Sequence, residues 1–378
     1  MKKRYLSTGN EACGEGAIRA ACRFYAGYPI TPQNELTAYM SRRMEEENGT
    51  FIQSESEVSA INMVFGASVA RARAMTSSSS PGISLKQEGI SYLAGCRLPA
   101  VIVNIMRGGP GLGNIEPSQS DYFQATKGGG HGDYRIIVLA PANVQEMFDL
   151  TFKAFDLADK YRLPVMILAD GILGQMMEPL EFDDNIRPKK LIDKPWALTG
   201  AKDRPAGSIK SLFLKTGALE KHNEELQKTY QGITEKETRC EEYFTEDADI
   251  VIVSYGAVSR IARSCANNLR KQGLKVGILR PISLWPFPSQ AIARLAGRGT
   301  KFLVVEMSSG QMVEDVRLAV QDDARVDFLG RMGGGIPAEE EIINTVGAHC
   351  MCPQFEKEKT KVGPACSPLR RRRREKEG

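Results

Sequence analysis

Helix-like and strand-like hydrophobic patterns alternate along residues 1–185. Apolar residues recur at helical spacing over 9–22 and 144–161, whereas 98–106 and 134–142 are short, almost continuously apolar runs. Such runs are typical of parallel strands that are covered on both faces. Strands that alternate with helices in this way predict a doubly wound α/β domain built on a parallel sheet.

The same alternation returns over 247–346, where 249–257 is strand-like and 258–273 is helix-like. It predicts a second, smaller α/β domain. Between the two domains, 186–246 is expected to be a charged linker whose helix is polar almost all round. We predict that the last segment, 347–378, is a basic tail that is solvated and disordered.

The composition fits two ordered domains and argues against a nucleic-acid-binding body. The chain has 378 residues, of which 42% are apolar, and a formal net charge of +4. Arg370 to Arg374 contribute more positive charge than this total, so the rest of the chain is nearly neutral and offers no basic surface to phosphate backbones. Docking of the arginine-rich tail on RNA or on an acidic partner is a minority alternative.

Neither a membrane segment nor a metal or cluster site is predicted. The apolar runs are of strand length, and the basic start of the chain is followed by polar residues rather than by a signal peptide, so a cytoplasmic location is expected. The eight cysteines form no C-x-x-C motif and are expected to be reduced core residues. His349, Cys350 and Cys352 are close in sequence but lack a second pair of metal ligands.

The segment 51–68 places acidic residues at the start of an apolar helix. Glu57 falls on the same helical face as Ile61, whereas Glu55 aligns with polar residues. The spacing of Ser54 and Glu57 also fits a capping box, in which a glutamate satisfies a backbone N–H. The sequence therefore leaves two interpretations of Glu57, a helix cap or an inward-pointing acid.

Three loops are expected to meet at one edge of the first sheet, because ligands in open parallel sheets bind beyond the carboxyl ends of the strands. They contain Thr31, the serine-rich turn 77–82, and Arg107 at the start of a long glycine-rich connection. An arginine is suited to bidentate binding of a carboxylate, with a threonine hydroxyl as a further donor. Alternatively, Thr31 is the N-cap of a helix that begins at Pro32, and Arg107 pairs with a surface acid.

Four segments resemble the alpha subunit of 2-oxoacid:ferredoxin oxidoreductases. They are GNEACGEGAIRAACRFYAGYPITPQNE, QSESEVSAINMVFGAS, MTSSSSPGISLKQEGISY and VNIMRGGPGLGNIEPSQSDYFQATKGGGHGDYR. The last is most similar to the branched-chain branch of the family, the 2-oxoisovalerate (3-methyl-2-oxobutanoate) enzymes, and the 2-oxoglutarate enzymes are the nearest alternative. The resemblance covers about residues 5–346.

The resemblance implies a thiamine diphosphate enzyme assembled from several subunits. This chain would supply a pyrimidine-side thiamine diphosphate domain (1–185), the linker, and a domain like the C-terminal one of transketolase (247–346). A beta subunit would hold the diphosphate, Mg²⁺ and an iron–sulfur cluster, and gamma and ferredoxin-like delta subunits would complete the assembly. The implied reaction is oxidative decarboxylation of a branched-chain 2-oxoacid, with electrons passing to ferredoxin and the acyl group to coenzyme A.

The resemblance also implies a catalytic and cofactor-binding role for Glu57. This residue lies nine positions before Gly66, which is the spacing of the family's glutamate that hydrogen-bonds N1′ of the aminopyrimidine. A positioned proton transfer of this kind contributes about 10²–10⁴ in rate. Ser54 is still expected to cap the helix through its side chain.

Further site residues follow from the same resemblance. Thr31 and Arg107 match the threonine and the arginine that hold the carboxylate of the 2-oxoacid. Ser80, Pro81 and Gly82 resemble a turn beside the pyrimidine pocket. No metal ligand is expected in this chain. The arginine-rich tail departs from the family pattern, and a non-catalytic, RNA-associated protein is the distant alternative.

Overall fold

The computed structural model of the chain describes residues 2–188, 191–322 and 325–350. A seven-stranded sheet forms the first unit, and its strands are β2 (Phe24–Gly27), β3 (Thr50–Gln53), β4 (Ala74–Ser78), β5 (Ala100–Met106), β6 (Ile137–Leu139), β7 (Pro164–Asp170) and β12 (Ser283–Trp285). The strand order is β12-β6-β7-β5-β4-β2-β3, and every pair is parallel except β12 with β6.

Helices cover both faces of this sheet. One face carries α1 (Gly9–Arg19), α2 (Asn34–Glu46) and α5 (Val144–Tyr161), and the other carries α3 (Glu57–Val69) and α4 (Ser80–Gly95). Strand β5 shows the pattern, because Val101 and Val103 pack with the first group of helices while Ile102 and Met106 pack with the second. The doubly wound α/β domain predicted from the sequence is thereby confirmed.

The second unit is a smaller α/β sheet, also as predicted. Its strands are β9 (Cys240–Tyr243), β10 (Ile250–Val253), β11 (Val276–Pro281), β13 (Lys301–Glu306) and β14 (Val326–Gly330), in the order β14-β13-β10-β11-β9. Only β9 is antiparallel to its neighbour. The helices of this unit are α8 (Val258–Lys271), α9 (Ser289–Ala296), α10 (Met312–Val320) and α11 (Glu339–Cys350).

Several elements have no counterpart in the sequence prediction. Strands β1 (Lys2–Thr8) and β8 (Met177–Asp183) form an antiparallel pair, and the short helix α6 (Gly171–Gln175) precedes β8. Strand β12 comes from the predicted second domain but completes the edge of the first sheet. These strands pair with partners far away in sequence, which a local hydrophobic pattern does not reveal. The predicted domain limits therefore stay predictions.

The helix in the charged segment differs in part from the prediction. Helix α7 (Ala218–Glu237) is mostly polar, as predicted, but it also has a buried apolar stripe, because Leu226, Tyr230 and Ile233 are buried at helical spacing. The ring of Tyr230 packs edge-on against Trp285, with the ring centroids 5.7 Å apart. The three apolar residues are few among many charges, so the sequence understates the buried face of the helix.

Two predicted helix caps are wrong. Helix α2 begins at Asn34, and Thr31 lies in the preceding turn, where its hydroxyl accepts a hydrogen bond from Asn34 Nδ2 at 3.2 Å. Helix α3 is capped by Ser56, whose Oγ accepts from the backbone N–H of Ser59 at 3.2 Å, and not by Ser54. Each helix starts later than the sequence pattern indicated, so the nearer residue takes the capping position.

The connection after β5 ties the two units together. The side chain of Gln119 is fully buried; its Nε2 donates to the carbonyl oxygen of Tyr255 at 2.9 Å, and its Oε1 accepts from the N–H of Met307 at 3.0 Å. Further along, the hydroxyl of Tyr122 donates to Asp315 Oδ2 at 2.6 Å. The long loop predicted from the sequence is therefore packed against the second unit.

Part of the sequence prediction falls outside the described residues. This applies to the basic tail from residue 351 onward, including Arg370 to Arg374 and Cys352, and to the side chains of His349 and Cys350. Within the described ranges, none of the helices has the length and apolar character needed to cross a membrane.

Candidate active site

The strand order reverses between β2 and β4, and the candidate residues gather there. Strand β3 lies on one side of β2 and β4 on the other, so the connections that leave these strands diverge and open a crevice. Such a switch point is where ligands bind in open α/β sheets. Thr31 follows β2, Glu57 follows β3, Ser80 follows β4 and Arg107 follows β5.

Glu57 is the inward-pointing acid at this crevice. It is 6% exposed, whereas Glu55 is exposed to solvent. Because Ser56 is the N-cap, Glu57 is the first residue of α3 and does not occupy the third helical position that a capping box requires. Its carboxylate accepts no hydrogen bond from any of the residues that the structure describes. The capping interpretation of Glu57 is therefore wrong, and its carboxylate remains available to a ligand.

Helices α3 and α4 approach each other closely at two glycines. A Cβ atom on Gly82 would lie 2.6 Å from Glu57 Oε1 and 2.1 Å from Ser78 Oγ. A Cβ atom on Gly89 would lie 2.6 Å from two carbon atoms of the Ile61 side chain. Both distances are too short for any side chain larger than hydrogen, so the two glycines bring the Glu57 carboxylate directly against the first turn of α4.

Lys86 is a site residue that the sequence analysis did not identify. Its side chain is fully buried, and Nζ donates to Thr76 Oγ1 at 2.7 Å and to the Ser77 carbonyl oxygen at 2.9 Å. Burial lowers the pKa of Lys86 to about 7, although the negative charge of Glu57 opposes this change. The position of Lys86 between Ile83 and Ile90 on the apolar face of α4 is the signal in the sequence that predicts its burial.

Arg107 and Thr31 lie together, as predicted. Arg107 is 7% exposed; its Nη1 donates to the Thr31 carbonyl oxygen at 3.0 Å and its Nη2 to the Leu112 carbonyl oxygen at 3.1 Å. Its Nε has no partner, and no carboxylate of the described residues lies within ion-pair distance of the guanidinium. Pairing of Arg107 with a surface acid is therefore wrong, and the buried positive charge lacks a counter-ion.

Ser80 joins the loops after β4 and β5. Its Oγ accepts from the backbone N–H of Arg107 at 3.0 Å and donates to the Arg107 carbonyl oxygen at 3.2 Å. Near it, Asp121 accepts a hydrogen bond from Asn104 Nδ2 at 2.8 Å, and burial raises the pKa of the Asp121 carboxyl. These contacts hold the start of α4 and the Arg107 strand end in one geometry.

A cavity of about 370 Å³ lies between this edge and the second unit. Both units contribute to its wall, and the residues that matter for binding are Ser80, Pro81, Arg107, Asp121, Met307 and Met332. The cavity thus combines one buried guanidinium and the carboxyl of Asp121 with apolar and hydroxyl groups. This composition suits a small organic acid with a short apolar part.

A second polar cluster supports the turn that carries Thr31. Gln33 is fully buried, and its Oε1 accepts from Ser77 Oγ at 2.6 Å and from Thr37 Oγ1 at 3.0 Å. The hydroxyl of Tyr25 lies 2.6 Å from Ser77 Oγ, and burial raises the pKa of Tyr25 to about 12. The cluster is therefore uncharged at neutral pH and anchors the turn to β2 and β4.

The crevice fits an uncharged nitrogen heterocycle. The hydroxyl oxygens of Ser78 and Ser79 are buried without a partner among the described residues, which leaves them to hydrogen-bond a ligand. Glu57 adds a carboxylate that can accept a hydrogen bond from a ring nitrogen, and the absence of a side chain on Gly82 lets this carboxylate and Ser78 lie against the helix. Groups of this kind are compatible with the aminopyrimidine of thiamine diphosphate.

The fold and the crevice are those of a thiamine diphosphate-binding α/β protein. A family model described as "Pyruvate flavodoxin/ferredoxin oxidoreductase, thiamine diP-bdg" matches residues 15–245, and one described as "Pyruvate:ferredoxin oxidoreductase core domain II" matches 248–342. The chain belongs to the 2-oxoacid:ferredoxin oxidoreductase family. The resemblance drawn from the four sequence motifs is confirmed.

Two kinds of relative are similar to this chain over most of its length. The chain is 52% identical over 341 residues to ketoisovalerate oxidoreductase subunit VorB of Methanothermobacter marburgensis, covering 89% of this chain and 96% of the relative. It is 38% identical over 372 residues to 2-oxoglutarate synthase subunit KorA of Methanothermobacter thermautotrophicus, covering 92% and 99%.

Solved structures agree with this family. The 2-oxoglutarate:ferredoxin oxidoreductase of Magnetococcus marinus, determined with 2-oxoglutarate, coenzyme A and succinyl-CoA bound, matches with a TM-score of 0.81 and 27% identity. That match covers 91% of this chain and 65% of the solved one. A split-gene transketolase, matched at 15% identity with a TM-score of 0.57 and covering 90% of this chain and 97% of the solved one, supports the fold alone.

The contact between Gly82 and Glu57 leads to a prediction about stability. Gly82→Ala places a methyl group on the Glu57 carboxylate and on Ser78, and overpacking of this kind destabilises by about 1–3 kcal/mol. The matched control is Gly66→Ala on α3, where a Cβ atom meets nothing within 4 Å and alanine should stabilise by about 0.5–1 kcal/mol. Urea unfolding of both variants measures the difference. Equal stability of the two variants would contradict the close contact.

Proposed function

We propose that this chain is the alpha subunit of a 2-oxoacid:ferredoxin oxidoreductase whose preferred substrate is 2-oxoisovalerate (3-methyl-2-oxobutanoate). The reaction is oxidative decarboxylation of this branched-chain 2-oxoacid to acyl-CoA and CO₂, with ferredoxin as the electron acceptor. One observation carries the proposal. A buried guanidinium without a counter-ion and a buried carboxylate without a donor follow strands at the same edge of one parallel sheet, in a chain 52% identical to ketoisovalerate oxidoreductase subunits.

Arg107 and Thr31 bind the carboxylate of the 2-oxoacid in this proposal. A bound anion strongly stabilises a buried guanidinium, and a planar carboxylate matches the geometry of the guanidinium. The free Nε of Arg107 supplies one donor, and the hydroxyl of Thr31, on the adjacent turn, supplies another. The apolar side chains of Met307 and Met332 then face the branched end of the substrate across the cavity.

Glu57 hydrogen-bonds N1′ of the aminopyrimidine in this proposal. Thiamine diphosphate, when bound, supplies the electron sink for the decarboxylation. Glu57 exchanges a proton with the ring nitrogen, and its burial at the start of α3 keeps water away from that exchange. Ser80, Pro81 and Gly82 form the first turn of α4, which lies against the Glu57 carboxylate, and in this proposal the pyrimidine lies beside this turn.

Partner subunits supply the rest of the site in this proposal. Among the described residues, no group of three or more His, Cys, Asp or Glu side chains could hold a metal ion. We assign the diphosphate and Mg²⁺ to a beta subunit, and iron–sulfur clusters to partner subunits that include a ferredoxin-like delta and a gamma subunit. Coenzyme A is the co-substrate, and the cytoplasm is the proposed location.

Glu57→Ala should abolish most turnover of the assembled complex. Loss of a positioned acid–base group lowers the rate by about 10²–10⁴-fold. Glu55→Ala is the matched control, since Glu55 is two residues away and exposed. Steady-state 2-oxoacid-dependent reduction of ferredoxin measures both variants. Full activity of Glu57→Ala would remove the catalytic role of this residue.

Arg107→Ala should chiefly raise the KM for the 2-oxoacid. Loss of a charged hydrogen bond worth about 1.5–3 kcal/mol corresponds to a roughly tenfold to hundredfold increase. Arg42→Ala, which removes an exposed guanidinium, is the control. Initial rates over a range of 2-oxoacid concentrations measure the effect. An unchanged substrate dependence would count against carboxylate binding by Arg107.

The substrate itself is tested by the complex reconstituted with its partner subunits. The kcat/KM for 2-oxoisovalerate should exceed that for 2-oxoglutarate by at least about tenfold, because the cavity residues named above include one guanidinium for the shared carboxylate and none for a second. A preference for 2-oxoglutarate would favour the alternative raised by the KorA relatives.

A further inference from the structure

Lys86 is a charged group for which the proposed reaction has no role so far. Its ammonium is fully buried, and its two hydrogen-bond acceptors, Thr76 Oγ1 and the Ser77 carbonyl oxygen, are both neutral. Neutral acceptors do not require a charged donor, and burying an unpaired ammonium is costly. An apolar side chain of the same length would fill this space at a lower cost, so the charge itself needs an explanation.

The position of Lys86 relates it to Glu57. Gly82 lies against Glu57 Oε1, and Lys86 follows Gly82 by four residues on the same face of α4. The Ser78 hydroxyl and the Glu57 carboxylate both lie beside Gly82. The Lys86 amine is bonded to the carbonyl oxygen of Ser77, the residue before Ser78, so the amine and the carboxylate both lie at the carboxyl end of β4. The negative charge of Glu57 raises the pKa of Lys86, against the larger lowering caused by burial.

No other titratable group near Lys86 and Glu57, among the described residues, is bonded to either of them. Tyr25 reaches the same region through Ser77, but burial raises its pKa to about 12 and it stays neutral. Arg107 directs its hydrogen bonds to two backbone carbonyls, and Asp121 accepts from Asn104. Among the described residues, none of these three is bonded to Lys86 or to Glu57.

We propose that Lys86 is a positioning residue for Glu57, and that the protonated amine of Lys86 is the counter-charge that stabilises the ionised carboxylate of Glu57 at the edge of the crevice. The inference rests on the proposed role of Glu57. A cation near a carboxylate favours the charged form, and the effect is larger where water is excluded. Lys86 touches neither substrate nor cofactor; it acts through Glu57.

The first experiment measures the pH profile of the assembled complex. Lys86→Met keeps the length of the side chain and removes its charge, and it should shift the acidic limb of kcat/KM upward by about one pH unit. Activity then falls about tenfold below wild type on that limb and recovers at higher pH. Lys271→Met, at an exposed position on α8, is the control. A profile of unchanged shape, or a loss that is uniform across pH, would overturn the inference.

The second experiment needs no turnover and uses urea unfolding of the 378-residue chain over a range of pH. The pKa of Lys86 is about 7 in the folded chain and about 10.4 when unfolded. Between these two pH values the unfolded chain therefore binds more protons than the folded chain. Stability therefore rises with pH from about 7 to 10.4. Glu57→Gln, which leaves Lys86 in place, should move the start of this rise to a lower pH, and the control Glu55→Gln should not.

The two experiments separate the inference from the function on which it rests. If Glu57→Gln leaves the start of the rise unchanged, Lys86 and Glu57 are not coupled, even when Glu57 is essential for turnover. If the start moves but Glu57→Ala retains full activity, the coupling stands and the proposed role of Glu57 fails. Should Lys86→Met not fold, the unfolding curves of Glu57→Gln still decide whether the two charges interact.

Discussion

The contact between α3 and α4 at Glu57 and Gly82 constrains the whole site. The absence of a side chain on Gly82 lets a buried carboxylate lie on the first turn of α4, and Gly89 repeats this close approach at Ile61. Buried carboxylates normally accept hydrogen bonds, yet the described residues donate none to Glu57. The packing of two helices, rather than a hydrogen bond, therefore holds the acid in place and leaves it ready for a ligand.

A second constraint comes from the connection after β5. Arg107 gives two hydrogen bonds to backbone carbonyls, so the guanidinium is rigid although it lacks a counter-ion. The same connection reaches the second unit through Gln119, whose buried amide bonds Tyr255 and Met307. The position of the arginine thus depends on how the two units pack. This explains why the cavity beside it is lined by both units.

The sequence predicted this site in part. Helical periodicity placed Glu57 on the buried face and Glu55 outside, and the strand ends placed Thr31 near Arg107. The roles of these residues came from resemblance to a family and stay proposals. The start of α3 was misplaced because serines at 54 and 56 both suit a cap, and only the path of the backbone selects Ser56.

By itself, the sequence determined that helices alternate with strands in both units, that Glu57 lies on a buried helical face, and the family, because periodicity and motifs are local properties of the chain. Only the tertiary structure decided that β12 completes the first sheet and that the long loop docks on the second unit. It alone placed the amine of Lys86 on Thr76 and Ser77 of β4, since an isolated lysine in a helix carries no sign of what lies opposite. Contacts between distant segments depend on how the surfaces of helices and sheets fit together, and no local pattern encodes that fit.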